Sequence, residues 1–271
     1  MSTNHYENFP VGSLVLPRRL RKPIHVIYHF ARTADDIADE GDADNATRLA
    51  QLQALRDELA LIEQGLTPQT PLMQRLNQEA IVPFQLPLKH FYDLLVAFEQ
   101  DVTVTRYQNF SDLINYARHS ANPIGRLLLA LYGEDDPRSL AYSDGICTAL
   151  QLINFWQDVA IDWQKGRLYI PLDDLARFGI TEDDIDQKKV NFAFQRLMHH
   201  ECERAHSLLK AGSPLGTVLK GRLGFELRMI ILGGQRILHR IDENKYDIFN
   251  RRPTLNRKDW WHMIKRSFSK K

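Results

Sequence analysis

Apolar residues recur along most of this chain at spacings of three and four with polar residues between them, the period of helices that bury one face. Pro23 reads as a first-turn residue of a helix running to Gly41, and a second helix fits between Asn45 and Gly65. Thr70-Pro71 and Leu86-Pro87 mark further helix starts. Ser111 is placed to cap a helix through Leu131 that is kinked or broken near Asn122-Pro123. A long helix covers about 137 to 165, another runs from Thr181 towards Lys210, and one more covers about 216 to 243. No segment alternates apolar and polar residues convincingly enough for a strand. The predicted class is all-α.

Two of these helices carry carboxylates at helical spacing in apolar surroundings. Asp35, Asp36 and Asp39 follow the run Ile24-His25-Val26-Ile27-Tyr28-His29-Phe30. Asn154, Asp158 and Asp162 are threaded among Leu150, Leu152, Ile153, Phe155, Trp156, Val159 and Ile161. A step of four residues moves a side chain about 6 Å along one face, so each set projects a column of oxygen ligands. Acidic residues four apart are often only a solvated helix face. Carboxylates on a largely buried helix, however, must be paired, hydrogen-bonded or metal-bound. Mg²⁺ suits such a column, because it takes a few carboxylates and completes its shell with water and phosphate oxygens. Two facing columns would describe a cleft that holds a diphosphate through bridging Mg²⁺.

In the first helix Tyr28, Arg32, Asp35 and Asp39 fall on one face. An Arg beside metal-binding carboxylates makes sense if a polyanion is their shared partner; the alternative is an intrahelical ion pair from Arg32 to Asp35 or Asp36. After the second column, Gly166 permits a turn, and Lys165 and Arg167 are placed to close over a diphosphate or simply to favour the helix C-terminus.

Composition narrows the choices. The chain has 271 residues, 44% of them hydrophobic, and no linker or repeat divides it, so one domain covering 1–271 is expected. Two cysteines, Cys147 and Cys202, support neither a disulfide framework nor a zinc site, which fits a reducing cytoplasm. The start, MSTNHYENFPVGS, lacks the features of a secretory signal, and no run of 18 or more apolar residues suggests a membrane span. The net charge is +1, yet residues 251–271 carry +7 and the remainder −6. Trp260, Trp261, Ile264 and Phe268 fall roughly on one side of a helix in that basic tail, with Lys265, Arg266, Lys270 and Lys271 among or beyond them. That pattern suits either a helix resting on an anionic membrane or a docked terminal helix. His25, His29, His119, His199 and His200 form no metal-ligand motif, and nothing points to nucleic acid.

The two motifs, Arg32-Thr-Ala-Asp35-Asp36-Ile-Ala-Asp39 and Gln151-Leu-Ile-Asn154-Phe-Trp-Gln157-Asp158-Val-Ala-Ile-Asp162, resemble those of the squalene/phytoene synthase family. The resemblance runs from His5-Tyr-Glu-Asn-Phe9 to Tyr246-Asp-Ile-Phe-Asn-Arg-Arg252. HYENFP, NFWQDVAIDWQKGRLYIP and LGGQRIL are most similar to the hydroxysqualene synthases of the HpnC type in bacterial hopanoid biosynthesis. It implies a single-domain isoprenoid synthase helical bundle with a central cavity, and several Mg²⁺ ions held by Asp35, Asp36, Asp39, Asn154, Asp158 and Asp162. It further implies substrate contacts from His5, Tyr6, Asn8, Phe9, Tyr28, Arg32, Tyr116, Gln151, Gln157, Lys165, Arg167 and Tyr169, and from Arg251 or Arg252, between which the alignment does not choose.

Departures from the family pattern matter as much. Synthases that join two prenyl diphosphates usually carry Arg where Gln157 stands, Ser residues at Tyr6 and Asn8, and Tyr at Gly234; the stretch usually resembling VAGTVG reads Ser120-Ala-Asn-Pro-Ile-Gly125. Fewer phosphate-binding groups fit a site handling one diphosphate. The activity implied is a carbon–oxygen lyase reaction of presqualene diphosphate with water, without NADPH and coupled to a presqualene diphosphate synthase. Head-to-head condensation to presqualene diphosphate or phytoene is the alternative. A non-catalytic assembly protein on the same fold would be expected to lose the acidic ligands, all of which are present.

Overall fold

The computed structural model describes residues 17–267, which fold as two compact units. The first comprises Pro17–Thr105 and Ser111–Cys147, the second Arg106–Phe110 and Thr148 onward.

In the first unit α1 (Arg18–Asp39) and α2 (Asn45–Glu63) precede a short α3 (Pro71–Leu76), which passes through a π turn at Asn77–Ile81 into α4 (Val82–Phe84). Then come α5 (Lys89–Thr103), α6 (Phe110–Ser120), which belongs to this unit from Ser111 on, and α7 (Asn122–Tyr132). Leu20, Ile24, Ile27, Phe30, Ala34 and Ala38 of α1 are buried, a stripe at steps of three and four. Phe30 meets Phe91 of α5 edge-on at 5.4 Å. That stripe leaves Tyr28, Arg32, Asp35 and Asp39 on another side of the helix. Arg48, only 9% exposed, donates to the carbonyls of Ile37 (2.8 Å), Gly41 (2.8 Å) and Ala43 (2.9 Å). One guanidinium thus satisfies carbonyls that the end of α1 and its turn would otherwise leave bare, and it holds the acidic end of the helix in place.

The continuous α8 (Pro137–Gln164) belongs to the first unit through Cys147 and to the second beyond it. Within the first unit a Cβ on Gly125 would lie 2.4 Å from Ser143 Oγ and 2.5 Å from Cys147 Sγ. Only glycine lets α7 approach α8 so closely there.

The second unit continues with α9 (Leu172–Phe178), α10 (Glu182–Asp186), α11 (Phe192–Gly212), α12 (Leu215–Val218), α13 (Gly221–Glu243) and α14 (Arg257–Ser267). Among the described residues the sole strand-like pairing is an isolated bridge between Arg106 and Leu168, so the class is all-α. Gly234 of α13 sits where a Cβ would be 3.0 Å from Leu150, 3.1 Å from Leu209 and 3.3 Å from Ile153. The missing side chain lets α13 seat directly against α8 one turn before Asn154.

Four boundaries differ from the sequence expectation, the simplest being that Ser111 lies inside α6, one residue after its start at Phe110, and does not cap it. Pro17 occupies the N-cap of α1, so the helix starts at Arg18 and Pro23 lies inside it; the basic residues between the two prolines are good helix formers and extend the helix backwards. The expected helix from Thr181 to Lys210 is two. Thr181 forms a capping box with Asp184, Lys188 turns left-handed at φ +53°, and Asn191 caps α11 through Phe194 N. The last expected helix begins at Gly221, after the separate short α12. The break before Asn122-Pro123 occurs where proline requires it.

Candidate active site

On α1, Arg32 pairs with its own helix, reaching Asp35 at 3.1 Å, Asp36 at 2.6 Å and Glu40 at 3.9 Å. Partial burial alone would lower the Arg32 pKa; Asp35 and Asp36 outweigh it, and the net shift is upward. The carboxylates of Asp35 and Asp36 stay 44% and 45% exposed, and Tyr28 is exposed as well. Asp36 also lines a shallow recess with Glu40 and Asp42 at the α1–α2 corner, on the edge of the Tyr28–Arg32–Asp35–Asp39 face.

On α8, Asn154 is exposed while Asp158 and Asp162 are half-buried. Asp158 receives a two-bonded fork from Arg252, with Nη2 on Oδ2 at 3.0 Å. The preceding residue, Gln157, is 2% exposed and donates to the carbonyl of Pro253. Consecutive residues of α8 therefore clasp consecutive residues of the segment before α14. Of the two arginines between which the sequence does not choose, Arg252 reaches the column, whereas Arg251 is exposed with its carbonyl accepting from Asn244 at 3.0 Å. Gln157, expected as a substrate contact, is placed on the buried side of the helix.

The turn after α8 is built as its glycine requires, with Gly166 at φ +77° and Arg167 N returning to the Asp162 carbonyl at 2.8 Å. Lys165 is exposed and Arg167 half-buried. Arg106 pins this turn: it donates to the Gly166 carbonyl at 2.7 Å, forks onto Glu182 at 2.9 Å through both contacts and lies over the Trp163 ring at 5.2 Å. The Arg106–Leu168 bridge aligns two tyrosines, so that Tyr169 stacks on Phe155 at 3.7 Å and Tyr107 on Tyr169 at 5.7 Å. Gln151 lies half-buried on α8.

Tyr116 stands in the first unit, 4% exposed, with its hydroxyl on Asp101 Oδ2 at 3.0 Å. His5, Tyr6, Asn8 and Phe9 lie outside the described residues, as do Phe268, Lys270 and Lys271. Sequence reasoning missed Arg48, Arg106, Tyr107 and Asp101, because each acts through a partner distant in sequence or a backbone carbonyl that leaves no local pattern.

The oxygen-only donor sets of both columns, with solvent-reachable carboxylates on α1 and an exposed Asn154 on α8, fit a hard divalent cation such as Mg²⁺. A different group, Asp174, His200 and Glu201, has its ligand atoms within 4.8 Å of one another. There Arg204 Nη1 already bonds both carboxylates, so a protein cation balances that cluster.

The model of the squalene/phytoene synthase family matches residues 2–259, which include both columns and Arg252. This chain belongs to the squalene/phytoene synthase family. It is 37% identical over 239 residues to a hydroxysqualene synthase of Rhodopseudomonas palustris, covering 87% of this chain and 80% of that one. It is 34% identical over 256 residues to a hydroxysqualene synthase of Zymomonas mobilis, covering 93% and 83%. Among solved structures, the squalene synthase HpnC from Alicyclobacillus acidocaldarius superposes with a TM-score of 0.82 at 38% identity, over 89% of this chain and 90% of that one. A dehydrosqualene synthase shares the fold at TM-score 0.83 and 22% identity, over 97% and 91%. The squalene/phytoene synthase fold of the chain is thus a helical isoprenoid synthase fold, and the chain is an isoprenoid synthase of that family. No described helix is long and apolar enough to cross a membrane.

Proposed function

We propose that this synthase converts presqualene diphosphate and water to hydroxysqualene and diphosphate. The observation that carries the reading is the Asn154–Asp158–Asp162 column with Arg252 forked onto its middle carboxylate, in a chain more than a third identical to a hydroxysqualene synthase. Asp35, Asp36 and Asp39 on α1, and Asn154, Asp158 and Asp162 on α8, would hold Mg²⁺. Bound there, the metal supplies Lewis acidity to the leaving diphosphate.

The chain's own side chains do the rest. Arg32 and Arg252 now neutralise column carboxylates, and both present N–H forks of the kind that match phosphate oxygens. Lys165 and Arg167, at the Gly166 turn, add positive charge where the leaving group gains negative charge. Aromatic rings stabilise carbocations; in the Phe155–Tyr169–Tyr107 stack the facing ring surfaces are taken up by each other, so an outer face of the stack is the one that would serve. In the reaction the carbon–oxygen bond to diphosphate breaks with its electron pair on the leaving oxygen. The cation rearranges, water oxygen bonds to carbon, and one proton is released. Water replaces diphosphate with no change of oxidation level, so no hydride donor enters the balance.

Gln157 favours this reading over head-to-head condensation. Its amide is committed to the Pro253 carbonyl on the buried side of α8, so the Arg that synthases joining two diphosphates usually carry there has a neutral structural substitute. The test is presqualene diphosphate in ¹⁸O-labelled water with Mg²⁺ and no NADPH. A labelled thirty-carbon tertiary alcohol is expected. Squalene formed only with NADPH, or efficient use of farnesyl diphosphate alone, overturns the assignment.

A further inference from the structure

The last described helix, α14, is docked by one face and bare on the other. Asp259, Met263 and Ser267, each four residues apart, are buried. Asp259 accepts from Arg236 Nε at 2.6 Å and Arg240 Nη2 at 2.9 Å, and the Ser267 carbonyl accepts from Arg228 Nε at 2.8 Å. Later residues of α13 therefore meet the start of α14 and earlier ones meet its end, which makes the two helices antiparallel. The sole acid of α14 is turned inward and neutralised by two arginines.

At 100° per residue the opposite face centres on Trp261, with Lys258 and Lys265 on one flank and Arg257 and Ile264 on the other. Trp261 is 74% exposed and Ile264 38%, while Arg257, Lys258 and Lys265 are all exposed. The indole lies off the face by which its own helix is docked. A solvated helix face does not need a large aromatic at its centre. An indole ringed by cations, on a helix whose acid is hidden, has the composition of a segment that lies in the headgroup region of a bilayer.

We infer that the outward face of α14 is a binding surface for anionic lipid bilayers, with Trp261 entering the headgroup region and Arg257, Lys258 and Lys265 meeting lipid charge. The helix stays docked on α13 and binds through the face that docking leaves free. This inference is independent of the proposed reaction, and its test does not measure turnover.

Because removing α14 would uncover the Arg236–Arg240 surface, the test uses point variants of the full chain at outward positions. Lys258→Glu/Lys265→Glu and Trp261→Ser are compared with the wild type by co-sedimentation with phosphatidylcholine vesicles, with and without about a third phosphatidylglycerol. Thermal unfolding checks that the variants fold. The wild type is expected to bind the anionic vesicles and to leave them as salt rises, with both variants at least about tenfold weaker. Brominated acyl chains should quench wild-type tryptophan fluorescence and spare most of it in Trp261→Ser. Equal binding by wild type and charge-reversed variant, binding indifferent to lipid charge, or preference for a single-stranded nucleic acid over vesicles overturns the inference.

Discussion

The acidic columns of α1 and α8 look alike in sequence and are settled by opposite means. On α1 the counter-charge is local: Arg32 lies three and four residues from its partners, and all three side chains remain between a third and a half exposed. On α8 the counter-charge comes from Arg252, 94 residues from Asp158, and the carboxylate is only 15% exposed. A local pair on a solvated face is weak and easily exchanged for another ligand. A fork imported from a distant segment onto a half-buried acid is stronger, and it also fixes where that segment lies. Thus α1 offers oxygens that cost little to recruit, whereas α8 offers an acid whose partner must move or be shared when a ligand arrives.

The largest expected effect tests whether the difference in pairing hides an equal functional need. Asp35→Ala on α1 and Asp158→Ala on α8 should each lower turnover of presqualene diphosphate by at least about 10²-fold at saturating Mg²⁺, the scale of losing a principal electrostatic stabiliser. Circular dichroism should show both still folded. Near-normal turnover in either variant removes that column from the site.

A buried acid that belongs to neither column sharpens the contrast. Glu201 is 0% exposed, and burial pushes its carboxyl up to about 8 although Arg204 opposes the shift. Asp174 from α9, with Arg177 near it, and Arg204 and His200 from α11 are the charged or titratable groups around it. Below the unfolded carboxyl pKa, near 4.3, both states hold the proton. As pH rises from there towards 8 the unfolded chain has released it and the folded chain keeps it, so stability falls across that window and levels off above it. The loss is expected to be on the order of a few kcal/mol, read by urea unfolding at several pH values. Glu201→Gln should flatten the slope. His200, whose pKa burial lowers, acts in the opposite sense in both proteins and cancels in the difference. A slope unchanged by Glu201→Gln shows that another group carries it.

Next in size is the fork itself. Arg252→Ala leaves a half-buried carboxylate without its two hydrogen bonds, and a loss of about 1–3 kcal/mol is expected in thermal or urea unfolding. Arg252→Lys keeps the charge but not the fork, so it should recover only part of the loss. If the alanine variant is as stable as wild type, the clasp of Asp158 and Gln157 on residues 252 and 253 does not hold that segment.

What the sequence makes legible follows from sequence distance. The long helices, the proline break before Asn122, the glycine turn at 166 and both columns are local patterns of periodicity or backbone chemistry, and reading residues in order finds them. Pro23 misleads because Pro17, six residues earlier, supplies the real start. The split at Lys188 escapes notice because Asn191 acts as a cap only once the chain has turned. Arg252 on Asp158, Arg48 on three carbonyls and Arg106 on the Gly166 turn join residues from 5 to 94 apart in sequence, and no spacing announces them. The departure at Gly234 is visible as a residue, but its cause, the close approach of Leu150, Leu209 and Ile153, exists only in three dimensions.

The smallest expected effect closes the comparison from the α1 side. Arg32→Ala removes an exposed pair at three and four residues, and such pairs contribute about 0.3–0.5 kcal/mol, so unfolding should barely change. Two readings of Arg32 then part company in kinetics. If it serves only its own helix, kcat/KM should stay within a small factor of wild type. If it turns to the diphosphate when substrate binds, kcat/KM should fall about tenfold or more while the melting temperature stays put, because a charge-assisted contact made to the ligand is lost. The second outcome is expected, since Arg32 is the cation of the α1 column and its guanidinium is paired with partly exposed carboxylates of its own helix and the residue after it. A fall in stability without a fall in kcat/KM would reverse the roles assigned to the two arginines and leave Arg252 as the main cationic contact to substrate.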